Sequence, residues 1–125
     1  MANPNIVNVT TIYGNSSQVS LANTSANSLV SNAASSGKVF KINSIVVANT
    51  NGTSAANITI NTYSQAALGG TAYPIASTIS VPANATLIVT DKTTTFYLLE
   101  NQSIGATAGT ANYLTVTASW EEISS

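Results

Sequence analysis

The sequence predicts an all-β chain, an antiparallel β-sandwich of jelly-roll-like or immunoglobulin-like type. Three observations carry that expectation. Apolar and polar residues alternate with a period of two in several segments, and successive side chains of a strand point to opposite faces. Turn chemistry interrupts the chain roughly every 8–15 residues. No stretch keeps a 3.6-residue apolar repeat, and the abundant Thr, Val, Ile and Asn suit strands and turns better than helices.

The elements follow in chain order. Near the start, Val7, Val9 and Tyr13 alternate with Asn8 and Thr10, and Val19 with Leu21 makes a shorter piece. Residues 14–36 are biased towards Ser, Asn and Ala, so residues 1–36 are expected to hold a partly extended arm and a loop within a single domain, 1–125. Lys38 to Asn49 is apolar on both faces, with Phe40, Ile42, Val46 and Ala48 on one side and Val39, Ile45 and Val47 on the other. Such a run suits a central or covered strand. Ala56 to Tyr63 puts Ile58 and Ile60 inward, with Asn57, Thr59 and Asn61 outward. Helix is allowed only in short pieces such as Ser64 to Leu68. Ile75, Ile79 and Val81 share a face, and Phe96-Tyr97-Leu98-Leu99 is apolar on both. The cleanest alternation is the last: Leu114, Val116, Ala118 and Trp120 against Tyr113, Thr115, Thr117 and Ser119.

Breaks are expected at Gly14-Asn15-Ser16, Ser35-Ser36-Gly37, Asn49 to Thr53, Gly69-Gly70, Pro82-Ala83-Asn84, Asp91-Lys92-Thr93 and Gly105 to Asn112. Asn51-Gly52 is the strongest hairpin cue, because both residues accept positive φ.

Composition removes much of enzymology. The chain has 125 residues, a net charge of −1, seven charged side chains and no Arg, His or Cys. Without His or Cys there is no Ser–His or Cys–His nucleophile and no zinc site of the usual ligands. Three Lys alone give weak attraction to nucleic acid phosphates. With 44% hydrophobic residues the chain is not of the disordered class. A surface this neutral is poorly protected against association, which points to work inside an assembly. The segment Met1 to Asn5 has no signal-peptide character. The longest apolar stretch, Ile45 to Ala48, falls far short of the ~20 residues that span a bilayer. No nucleic-acid or membrane partner is expected, and no cofactor.

The remaining chemistry is thin. Asp91, Glu100, Glu121 and Glu122 are the only carboxylates available for sugar hydrolysis; a turn and a chain end are ordinary places for solvated charge, so no catalytic residue is assigned. No run of closely spaced carboxylates suits calcium, and no metal ligand is assigned. Gly69-Gly70 lacks the Lys-Ser/Thr of a phosphate loop. Seven Asn-x-Ser/Thr sequons are what so much Asn, Ser and Thr produces by chance. Trp120, Phe40 and Phe96 fall in core-facing patterns and the five tyrosines are scattered, so packing outweighs a sugar-stacking platform.

Residues 37–49, Gly-Lys-Val-Phe-Lys-Ile-Asn-Ser-Ile-Val-Val-Ala-Asn, and 81–87, Val-Pro-Ala-Asn-Ala-Thr-Leu, carry a resemblance. So do Leu99-Glu100-Asn101-Gln102-Ser103-Ile104 with Ala106-Thr107-Ala108, and Ser119-Trp120-Glu121-Glu122-Ile123. Together they resemble a family of small virion structural proteins of tailed bacteriophages, particularly those of marine bacteria and cyanobacteria. The resemblance spans residues 37–123. It implies a β-sandwich on the particle surface, decorating and cementing the capsid by non-covalent contacts with the major capsid protein or other virion subunits. The alternative it leaves is a neck, tail or fibre component, including a host-receptor or glycan-binding module. A homo-oligomer is expected, a trimer being natural. The interface residues expected from the sequence are Ile6, Val7, Val9, Ile12 and Tyr13, in an extended stretch from Ala2 to Tyr13 that would add a strand to a neighbour's sheet edge.

Overall fold

The computed structural model describes residues 4–124; Ala2, where the expected arm starts, lies outside them. Among the described residues there is no helix, and nine strands follow one another. They are β1 (Thr11–Ser20), β2 (Asn27–Asn32), β3 (Lys38–Asn49), β4 (Ala56–Gln65), β5 (Gly69–Val81), β6 (Thr86–Thr90), β7 (Phe96–Leu98), β8 (Gln102–Ala108) and β9 (Leu114–Ser124). One sheet runs β1-β9-β3-β6, with β7 also on β3; the other runs β2-β8-β4-β5. All pairs are antiparallel.

The order has a simple logic. β1 pairs with β9, β2 with β8, β3 with β6 and β4 with β5, as in one long hairpin. Wrapping that hairpin adds the pairs β3–β9 and β4–β8. This is the double-sheet jelly roll, one of the two sandwich types expected. The core between the sheets is built by Ile42, Ile45 and Val47 of β3, Ile58 and Ile60 of β4, Ile104 and Ala106 of β8, and Leu114, Val116 and Ala118 of β9. Trp120 stacks on Phe40, with ring centroids 6.1 Å apart.

Two buried asparagines tie the sheets together. Asn32 Nδ2 donates from β2 to the carbonyls of Lys38 (2.9 Å) and Leu98 (3.2 Å) in the opposite sheet. Asn49 Nδ2 donates from β3 to the carbonyls of Ser54 and Val81, each at 3.0 Å.

Several local expectations change. β3 does not keep one alternation: Phe40, Ile42, Ile45 and Val47 all face the core. The register against β9 shifts between Ile42 and Ser44, so Asn43 is an extra residue that resets the faces. Val46 and Ala48 therefore turn outward. Gly105 is not a turn residue but lies inside β8, and the turn comes after Ala108. Gly14-Asn15-Ser16 lies inside β1, where an exposed edge strand asks little of its side chains. Asn51-Gly52 makes no hairpin, since β3 and β4 belong to different sheets; the Asn51 side chain caps the crossover by accepting from the amides of Thr53 (2.9 Å) and Ser54 (2.8 Å). Ser64 and Gln65 end β4, and residues 66–68 form a tight turn, with Ala67 and Leu68 at φ 56° and 61°, rather than a helical segment. Ser31, Asn101 and Ser103 side chains accept from the amides of Ala67, Ala66 and Leu68 and pin that connection to the outer face of the second sheet. Residues 4–10 form turns and bends ahead of β1. Ile75 and Ile79 stay exposed although Val81 is buried, because register shifts and Thr78 at φ 51° distort β5.

Candidate interaction surfaces

The four carboxylates fall into three settings. Asp91 begins the β6–β7 turn, where its Oδ1 accepts from the Thr93 hydroxyl (2.6 Å) and amide (2.9 Å). Those hydrogen bonds, the hydroxyl's first, hold its pKa below the ordinary 3.8. Glu100 Oε2 accepts from the Gly37 amide at 3.2 Å. Glu122 pairs with Lys38 Nζ at 3.2 Å and accepts from the Asn15 side-chain amide. Glu121 joins Asp91 in a groove with Lys41, Lys92, Asn43 and Ser119, of about 650 Å³. That groove gathers four of the seven charged residues. It offers donors and acceptors of both signs, suited to reversible polar contact.

The expected arm is divided by the structure. Ile12 and Tyr13 open β1 and pair with Ile123 and Glu122 of their own chain. Val9 is partly buried before the strand, and Val7 is 92% exposed. Ile6, with Pro4, lines an apolar cavity of about 240 Å³ against Val39, Tyr97 and Leu99. The alternation around Val9 reads as strand in the sequence; the Asn5 side chain instead accepts from the Val7 amide and bends the chain.

Other surface features escape the sequence reading. At the open side of the sandwich, Thr62, Ile75, Val89 and Phe96 line a crevice. A neighbouring one brings Tyr63, Tyr73 and Tyr97 to the same Thr62 and Phe96. Only the pairing of β4 with β5, and of β7 with β3, collects aromatics so distant in sequence. The sheet edges differ as well. β2 has six residues and a register shift between Ser28 and Val30. β5 carries Pro74 and three shifts. β6 and β7 have five and three residues, separated by the Asp91-Lys92 turn. β1 pairs with β9 over ten residues without a shift.

No protein-family model matches the chain, and no curated protein matches it. Among solved structures, the chain is similar to a subunit from Bacillus endospore appendages, described as a novel family of disulfide-linked pili. The TM-score is 0.51 at 19% identity, over 92% of this chain and 88% of that one. A structure of infectious bursal disease virus, Gx strain, aligns at TM-score 0.46 and 15% identity, over 91% of this chain and 31% of that one. At 19% identity the pilus likeness is one of fold, and this cysteine-free chain has no thiol for a disulfide link.

Proposed function

We propose that this chain is a structural subunit of a repetitive particle, and specifically a capsid decoration protein of a tailed bacteriophage. In this reading it sits on the particle surface and cements the shell through non-covalent contacts with the major capsid protein or other virion subunits. One observation carries the reading. The large exposed apolar side chains, Ile12 and Tyr13 on β1, Tyr73, Ile75 and Ile79 on β5, Ile88 on β6, and Ile6, Val7, Tyr97 and Leu99 at one end, lie on edge strands and strand ends. Those are the places where a sandwich meets neighbours. Near-neutral charge lowers the desolvation cost of such contacts, and many copies side by side make modest contacts sufficient. The resemblance of residues 37–123 to phage virion proteins supports the same reading. The fold leaves it open, since jelly rolls host unrelated functions. The test is the copy number in purified particles. A number near the capsomer count supports decoration; absence from the particle overturns it, and about six to twelve copies moves the chain to the neck or tail, where cyclic rings set the stoichiometry.

A second reading, a glycan-binding module on a fibre, is favoured by the crevice that brings Tyr63, Tyr73, Phe96 and Tyr97 together. Sugar rings stack on exposed aromatic faces, and the crevice supplies Thr62, Ser64 and Gln102 as polar partners. A glycan array with the purified chain tests it. Binding lost in Tyr73→Ala supports it, and uniform absence of binding removes it.

A further inference from the structure

We infer that the free edge of β1 is a self-association surface, on which two copies of this chain pair β1 against β1, antiparallel, across a two-fold axis at Ser16. Only its purpose rests on the assembly reading, to which it adds a surface and a partner.

An edge strand turns alternate backbone N–H and C=O groups away from its sheet, and edges are ordinarily blunted by shortness, proline, bulges or charge. Three edges of this sandwich are blunted in those ways: β2 by length and a bulge, β5 by Pro74 and three register shifts, and β6 with β7 by length and the Asp91-Lys92 turn. β1 has none of them. Thr-Ile-Tyr-Gly-Asn-Ser-Ser-Gln-Val-Ser holds no proline and no charge, and its register with β9 is unbroken. Of the described residues ahead of β1, Pro4 and Ile6 lie towards the β3–β7 side, where they line a cavity with Val39, Tyr97 and Leu99.

Symmetry and sequence then select a register. A two-fold axis perpendicular to the sheet keeps each face on its own side, so paired residue numbers must sum to an even value. Centring the axis on Ser16 pairs Ile12 with Ser20, Tyr13 with Val19, Gly14 with Gln18 and Asn15 with Ser17. Tyr13, 63% exposed in the single chain, then meets the partly buried Val19. An aromatic against a β-branched residue is a favourable cross-strand pair. Centring on Asn15 sets Tyr13 against Ser17 and leaves Val19 opposite Thr11. No like charges meet, because β1 has none and Glu122, one strand inward, is already paired with Lys38. The two five-stranded sheets become one continuous sheet. Strand pairing alone falls below the roughly 1,000 Å² of a tight interface, so the contact is weak and reversible.

Sedimentation velocity on the full chain, from about 10 μM to about 1 mM, tests the inference. The expected result is a monomer–dimer equilibrium that Ser16→Lys weakens about fivefold or more, by placing two ammonium groups face to face. Thr71→Lys, on the exposed β5 edge, leaves it unchanged. Because the chain has no cysteine, Ser16→Cys gives a second readout. Cα atoms about 4.5–5.5 Å apart across an antiparallel pair suit a disulfide, so oxidation traps a covalent dimer from Ser16→Cys and not from Thr71→Cys. A chain that stays monomeric throughout, a trimer, or a dimer indifferent to Ser16→Lys overturns the inference. The particle copy number is unaffected by that outcome, so the two readings fail separately.

Discussion

Asn32 illustrates how much a single polar side chain can carry here. It is fully buried, its amide donates to two carbonyls of the opposite sheet, and its Oδ1 accepts from the Ser36 hydroxyl at 2.6 Å. Asn32→Ala strands the Lys38 and Leu98 carbonyls. The expected loss is about 2–4 kcal/mol, because an unpaired buried polar group costs more than a hydrogen bond contributes; chemical denaturation with an unchanged slope checks it. None of this is legible in a chain with fifteen asparagines, where nothing local separates Asn32 from an exposed loop Asn. Asp91 is a milder case. Its carboxyl is held below 3.8 by the Thr93 hydrogen bonds, so it favours the folded turn fully above 3.8 and loses that contribution as pH falls through its own lower value. Following the Thr93 amide by NMR through an acid titration should show the shift below pH 3.8, and Asp91→Asn should abolish it.

Among the elements, alternation made β4 and β9 readable, since Ile58, Ile60, Leu114, Val116, Ala118 and Trp120 point where a period of two sends them. β3 was readable as a central strand but not in its facing. A bulge at Asn43 adds one residue to the count, and no side chain announces it. Deleting Asn43 should straighten the ladder, since Ser44 then follows Ile42 opposite Ser119 and Trp120. Phe40, Ile42, Ile45 and Val47 then share one face by plain alternation, so the variant should keep a cooperative melting transition, checked by calorimetry. β8 hid behind small residues that resemble a loop. At Gly105 the size follows from Leu68 of the 66–68 turn and Tyr63 of β4 lying over it: an added Cβ would meet Leu68 Cδ2 at 2.8 Å, Tyr63 Cε2 at 3.0 Å and the Asn27 carbonyl at 3.3 Å. Gly105→Ala is therefore expected to cost about 1–3 kcal/mol through overpacking, measured by thermal or denaturant unfolding. Trimming Leu68 to Ala in the same chain should recover part of that loss.

For the molecule as a whole, the two-layer fold was legible because it needs only alternation and turn spacing, whereas the surfaces depend on which strands end as edges. The jelly-roll order leaves β1, β2, β5 and β6 at the rims, and no local pattern in those segments states that. Charge is sparse here, and the ion pair of Lys38 with Glu122 is partly exposed. The melting temperature should therefore hardly move between about 0.05 and about 0.5 M sodium chloride, although that range shrinks the Debye length several-fold; a change of many degrees would reveal electrostatics unseen in this fold. The pairing of β1 with β9 also decides how the domain answers to pulling. Thr11 lies opposite Ser124, so tension applied at those two residues tears the ladder open one rung after another, as a zipper parts. Tension running along a strand shared between two copies would load every rung at once. Optical-tweezer traces with handles at residues 11 and 124 should accordingly show yielding at low force, and an array of such domains would be tough only along the direction in which its strands lie.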